Sequence, residues 1–388
     1  MPCPVLGNDV GMHAGGGPDD RPSGAFRFRH GAAIRKFGDR ALLFIEDDQQ
    51  IHELNDTALA LASRISDGAT LDQLEDTLGS LGSDEASNRA FATAFLLQMK
   101  ELGLLVAVTE EDGRTDGEQT VRIAGVPMKI RYASRELFET IAPAYRHLEA
   151  RDDTPNVLSF TLRSDGPFTL LSADGKDAEI VDKESAAVIL KGLLLETVLA
   201  KGDYLCALHG SALVKDGKVV LLMGQPGAGK STMALTMSAG GYAYGGDDVT
   251  LVCADGRALG VCLAPAIKEP AWDLAQKHFE GLDDLPIHLR PDGLRVRFLP
   301  SVARPIDEPL PVSKLVVLDR DGSSSARASR LSTSEAITAL MAEARSTDGR
   351  CSVDTFNALA DIVSNAVCVR LQYGEASDGA AVIAGLDQ

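Results

Sequence analysis

The chain has 388 residues, more than one hydrophobic core usually organises, so two or three domains are expected. Its 45% hydrophobic and 24% charged content is ordinary for a globular protein, and no run of 18 apolar residues is present to form a transmembrane helix. Acidic residues outnumber basic ones 56 to 38, and the net charge of −18 argues against nucleic acid and anionic membrane as partners. The first residues lack the basic-then-apolar order of a signal peptide. The cysteines, Cys3, Cys206, Cys253, Cys262, Cys351 and Cys368, form no C-x-x-C pair and no zinc spacing with histidine. Free thiols in a reducing cytoplasm are the expectation.

Residues 1–24 are rich in Gly, Pro and Asp without periodicity and are expected to be a disordered tail. Residues 41–45 and 51–54 predict two strands of a hairpin, joined by a turn at Asp47-Asp48-Gln49. Asn55 has N-cap character before a helix that places Ala58, Leu59, Leu61 and Ala62 on one face and stops at Asp67-Gly68. Thr70 opens a second helix with Leu71, Leu74 and Leu78 buried. A third runs over 84–102 with Phe91, Phe95, Leu96 and Met99 inward, and Gly103 follows it. A hairpin with three helices over 25–108 suggests a small winged-helix module. The acidic, polar stretch 109–119 is expected to be a linker, and a second domain is expected over 120–388. Strands are predicted there at 121–123, 128–132, 157–162 and 169–172, followed by a long helix over 183–201. Strands 207–215 and 218–223 flank Asp216-Gly217, a type I′ hairpin signal. Further strands are expected at 242–244, 249–253, 294–299, 315–319 and 367–372, with helices over 333–344 and 353–365.

The motif Gly224-Gln225-Pro226-Gly227-Ala228-Gly229-Lys230-Ser231-Thr232 fits G-x-x-x-x-G-K-[ST] between a predicted buried strand and a predicted helix. A glycine-rich loop in that position turns backbone N–H groups toward an anion at a helix N-terminus. In such a loop Lys230 reaches the β/γ-phosphates of a nucleotide and the Ser231 hydroxyl holds Mg²⁺. Phosphoryl transfer also needs a carboxylate for the metal and a base for the acceptor, and Asp247-Asp248 follows one helix and one strand later. Gly-Gly-Asp-Asp is equally good turn chemistry. His209 lies in the predicted strand that precedes the loop strand, where it could orient a base, sense the γ-phosphate or be structural. Arg290, Arg295, Arg297 and Arg304 make a locally basic run, and Lys268, Arg295 and Arg297 are candidates for phosphate or acceptor contacts, or for a solvated face.

His209-Gly210, the loop and Gly246-Asp247-Asp248-Val249 together resemble HPr kinase/phosphorylase and its shorter HPr-kinase-like relatives. Pro265-Ala266-Ile267-Lys268 and Arg295-Val296-Arg297-Phe298-Leu299-Pro300 resemble segments of the related subgroup. This resemblance implies an α/β (α+β) fold with a carboxykinase-like P-loop core, and ATP and Mg²⁺ as cofactors. It implies Asp247 as catalytic base supported by His209, and Asp248 with Ser231 as metal ligands, the two aspartates being exchangeable. It also implies assembly into homo-oligomers. No segment matches the family's phosphorylase part, so the reverse reaction is not expected.

Residues 41–45, Ile51-His52-Glu53-Leu54-Asn55, Ile65-Ser66-Asp67-Gly68 and Leu102-Gly103-Leu104-Leu105 resemble the PqqD-like winged-helix modules that recognise leader peptides of ribosomally made precursors. That resemblance implies a leader peptide added as a strand to the small sheet. Joined, the two resemblances imply a cytoplasmic kinase acting on a Ser or Thr hydroxyl of a leader-bound precursor peptide. The alternatives are a kinase of another protein or small molecule, with the first module regulatory, and a nucleotide-dependent binding protein without transfer.

Overall fold

The computed structural model describes residues 24–386 except 39, 47–48, 83–84, 109–114, 151–156, 166–167, 304, 307, 323–324 and 346–349. The described residues form a mixed α/β structure with ten α-helices and several sheets, in line with the expected fold class. Two compact units are present: one of Met1–Arg114 with Ser164–Val181, the other of Thr115–Arg163 with Asp182–Gln388.

In the first unit the expected hairpin pairs Arg40–Ile45 with Gln50–Leu54, and a third strand, Ala32–Phe37, pairs on its other side. The predicted turn at Asp47-Asp48 lies outside the described residues. Helix Asp56–Asp67 starts where Asn55 accepts from the Ala58 N–H and stops at Gly68, whose N–H bonds to the Ile65 carbonyl. Helix Leu71–Ser80 opens with a reciprocal box between Thr70 and Gln73. Helix Glu85–Glu101 buries Ala92, Phe95, Leu96 and Met99. Phe91, expected inward, is 52% exposed. The buried stripe runs through Asn88, Ala92, Phe95, Leu96 and Met99, and Phe91, one residue before Ala92, is turned about 100° away from it.

Four more strands complete this unit, in the order Ala25–Phe28, Leu105–Val108, Ala178–Val181, Phe168–Ala173, all antiparallel. Phe168, Leu170, Ala178 and Ile180 share one core with Phe26, Leu43, Leu61 and Leu96. The 168–181 hairpin thus belongs with the first unit, although it follows the stretch expected to begin the second domain.

The second unit starts with the antiparallel strands Gly117–Ile123 and Val126–Tyr132. Gly117, Glu118 and Gln119, expected in the linker, are already strand; residues 109–114 of that linker and 1–23 of the expected tail lie outside the described residues. Its central sheet runs Ala243–Gly246, Ser211–Lys215, Lys218–Met223, Val312–Arg320, Val367–Tyr373, Arg327–Arg330. The three middle strands, from Lys218–Met223 to Val367–Tyr373, are parallel. Side chains alternate across it: Val220, Leu222 and Val316 face helices Lys230–Ala239 and Ala376–Gly385, while Val219, Leu221 and Leu315 face helices Thr333–Glu343 and Val353–Asn365. Continuous burial of the Lys218–Met223 strand follows from this two-sided packing.

The expected strand 207–215 is two strands. Cys206–Leu208 pairs with Thr250–Val252 in a smaller sheet, and Ser211–Lys215 joins the central one. His209-Gly210 is the break between them. The hairpin turn that follows is as predicted, with positive φ at both Asp216 (50°) and Gly217 (70°).

Candidate functional site

The glycine-rich loop leaves the C-terminal end of the buried strand Lys218–Met223 and enters helix Lys230–Ala239. In parallel sheets this end, between strands and helices, is where ligands bind. Gly224, Gly227 and Gly229 take φ of 151°, 87° and 86°, values that disfavour any side chain. A Cβ on Gly229 would stand 2.5 Å from the Tyr373 hydroxyl, which itself donates to the Ala228 carbonyl at 2.6 Å. Tyr373, from the parallel strand next but one in the sheet, thereby braces the loop. Gly229 is also the N-cap residue, so no side chain satisfies the first N–H groups of the helix. The Lys230 ammonium donates to the Gly224 carbonyl at 2.7 Å, folding the lysine back over the loop.

Asp247 follows strand Ala243–Gly246, which pairs beside Ser211–Lys215. Gly246 has φ of 151°, and a Cβ there would meet the Val261 carbonyl at 2.6 Å, so the chain approaches its neighbour only with glycine. Asp247 is 9% exposed. The Ser211 hydroxyl donates to its Oδ1 at 2.6 Å and to its backbone carbonyl at 3.0 Å. Ser231, from the loop, lies close enough to this carboxylate to lower its pKa. Burial, and then the charge of Asp248, raise the Asp247 pKa; the two serines and Lys191 oppose the rise.

Asp248 has the opposite environment. Lys191, on helix Ala186–Lys201, pairs with its Oδ2 at 2.8 Å, and this charge is the main reason its pKa is lowered, with His209 and Arg290 adding to it. His209 Nδ1 lies 3.1 Å from the Asp248 backbone carbonyl, so the strand break positions the imidazole against the pair. The second carboxylate is therefore held as an anion chiefly by Lys191, and its side chain is about half exposed. The two carboxylates differ in both charge environment and access.

Structure places the remaining sequence candidates elsewhere. Arg297 is 8% exposed, stacks 4.3 Å over Trp272 and pairs with Asp283. Arg295 pairs with Glu269 at 2.5 Å and lies 5.5 Å over the same ring. Lys268 is exposed at the end of strand Ala266–Lys268. Among the described contacts none of the three reaches the loop or the aspartates, whereas Arg290 of the same basic run contributes to Asp248. Arg304 lies outside the described residues.

Lys191, Ser211 and Tyr373 were not singled out from sequence. Lys191 had a signal: it is a charge beside the buried stripe Ala187, Leu190 and Leu194 of a strongly apolar helix. Ser211 and Tyr373 act through contacts across 36 and 145 residues, and nothing local marks them. Among the described residues no three His, Cys, Asp or Glu side chains converge as a metal cage, and no helix is long and apolar enough to cross a membrane.

No family model matches this chain, and no curated protein matches it.

Proposed function

We propose that the second unit is an ATP- and Mg²⁺-dependent kinase of the HPr-kinase-like kind. Its acceptor is a Ser or Thr hydroxyl of a ribosomally made precursor peptide held by the first unit. The observation that carries the reading is the meeting of Ser231, from a loop shaped by glycines for close approach, with the buried carboxylate of Asp247. The residues suit the group they would hold. The uncapped helix start and Lys230 would take the phosphates, and Ser231 with a carboxylate would take the cation. Mg²⁺ is commonly held by one or two carboxylates and the phosphates themselves, so a protein cage is not required. ATP would supply the phosphoryl group and Mg²⁺ would neutralise its charge.

The Ser231 contact favours Asp247 as the carboxylate beside the cation. Asp248, exposed and oriented by Lys191 and His209, would then accept the proton of the acceptor hydroxyl. This exchanges the roles that the resemblance implies. In the transfer the hydroxyl oxygen bonds to the γ-phosphorus, the bond to the β–γ bridging oxygen breaks, and ADP leaves with that oxygen. On this assignment Asp248→Asn lowers transfer by about 10²–10⁴-fold and leaves Mg·ATP binding intact. Asp247→Asn chiefly raises the Mg²⁺ concentration required. The reverse pattern restores Asp247 as base.

Support for the peptide partner comes from the three-stranded sheet of the first unit. Its outward face carries Arg35, Phe37, Leu42, Phe44 and Ile51, with Phe37 and Ile51 each more than 60% exposed. Among the described residues Ala32–Phe37 pairs on one side only, an edge that an extended peptide could extend. Incubating the full chain with γ-labelled ATP and short peptides encoded beside its gene tests the whole reading. Label on a Ser or Thr, lost when Phe37→Asp alters that edge strand, is the expected result. Label that is indifferent to Phe37→Asp moves the acceptor to another protein or a small molecule, and no label with any acceptor sinks the kinase reading.

A further inference from the structure

We infer that the pocket between helix Lys230–Ala239 and the short helix Trp272–Gln276 receives the base of the nucleotide whose phosphates the loop takes. This rests on the nucleotide-binding reading above. Thr232, Leu235 and Thr236 form one wall, and Leu274, His278 and Phe279 form the other. The first three are spaced i, i+3 and i+4, so they share one helix face. Thr232 also ends the phosphate-loop motif, which makes loop and pocket continuous along that face. At about 1.5 Å of rise per residue, the wall covers the next ~3–9 Å beyond Lys230. A nucleoside that runs back along this helix face from phosphates in the loop would meet that wall.

The composition of the lining selects the ligand. No Asp, Glu, Lys or Arg side chain lines the pocket, so it suits a neutral planar ring and not a second anion. One phenyl ring and two leucines supply stacking and apolar surface, and two threonine hydroxyls and an imidazole supply edge contacts. Leu274 is 44% exposed, apolar surface that a bound base would cover. The wall is also held in place. Leu235 and Phe279 pack onto a small core of Ile267, Ala275, Leu282 and Leu299, and the Trp272 indole N–H donates to the Ile267 carbonyl at 2.8 Å.

The test compares Mg²⁺ complexes of ATP, ADP and inorganic tripolyphosphate by calorimetry on the full chain. The native chain should bind ATP more tightly than tripolyphosphate. Leu274→Asp, an exposed position that spares the fold, should weaken ATP and ADP by about tenfold to a hundredfold, the size of a lost base stack, and leave tripolyphosphate unchanged. Phe279→Ala should act in the same direction. Equal weakening of tripolyphosphate, or ATP binding that ignores Leu274→Asp, overturns the assignment of the base. A native chain that binds neither ATP nor tripolyphosphate overturns the loop reading itself.

Discussion

Helices of the first unit and the loop helix of the second begin in opposite ways. Asn55 and Thr70 close the first N–H groups of their helices with side-chain oxygens. Gly229 leaves those of Lys230–Ala239 open, in a conformation held by Tyr373 and disfavoured for any other residue. The difference separates two uses of the same backbone chemistry. A capped start contributes stability, about 1 kcal/mol per cap. An open start contributes little to the fold and keeps donors available for an anion. The aspartates repeat the contrast within the second unit: Asp248 is stabilised as an anion by Lys191, and Asp247 is held as a carboxylate that burial disfavours.

If this contrast is right, stability and ligand affinity come apart by position. The largest effect is expected for Lys230→Ala, which removes a charged donor to phosphate: ATP affinity should fall by about 10–150-fold with little change in melting temperature. Titration calorimetry beside thermal unfolding reads both, and a large loss of stability would show that Lys230 serves the fold. Gly229→Ala comes next. Left-handed strain of about 1–2 kcal/mol and the encounter with Tyr373 should lower stability and affinity together. Thr70→Ala should cost about 0.5–2 kcal/mol in denaturant unfolding of the first unit and leave ATP affinity untouched. A change in affinity there would erase the distinction between the units.

The smallest effect should be a gain. Asp247→Asn removes a buried charge while its Oδ1 can still accept from Ser211, so the ligand-free chain should become more stable by under about 1 kcal/mol at neutral pH. The sign follows from a folded pKa that lies above the unfolded one. The cost of the carboxylate is present above the folded pKa, fades as pH falls through it, and is absent below the unfolded value near 3.8. Unfolding curves of both proteins from neutral to acid pH should therefore converge. A variant less stable than the native chain at neutral pH would mean that the carboxylate's hydrogen bonds outweigh its burial.

Much of this was legible locally. Asp216-Gly217 encodes its turn because both positions need positive φ, and Asn55 and Thr70 announce helix starts through their own side chains. The glycine-rich loop is visible because its spacing is a local backbone requirement. Phe91 shows the limit, since a run of apolar residues does not say which of two adjacent faces a neighbour will cover. His209-Gly210 shows it again: a continuous strand pattern hides a change of sheet that only the partners Thr250–Val252 and Lys218–Met223 impose.

By itself the sequence determined a mixed α/β chain, a glycine-rich loop between a buried strand and a helix, and the Asp247-Asp248 pair after it. Tertiary structure decided that the 168–181 hairpin completes the first core, that Tyr373 braces the loop, and that Ser211 and Ser231 converge on Asp247 while Lys191 takes Asp248. The physical reason is range. Turns, caps and glycine conformations are set by neighbours along the chain, whereas the charge state of a carboxylate is set by whatever the packed fold brings within hydrogen-bonding distance.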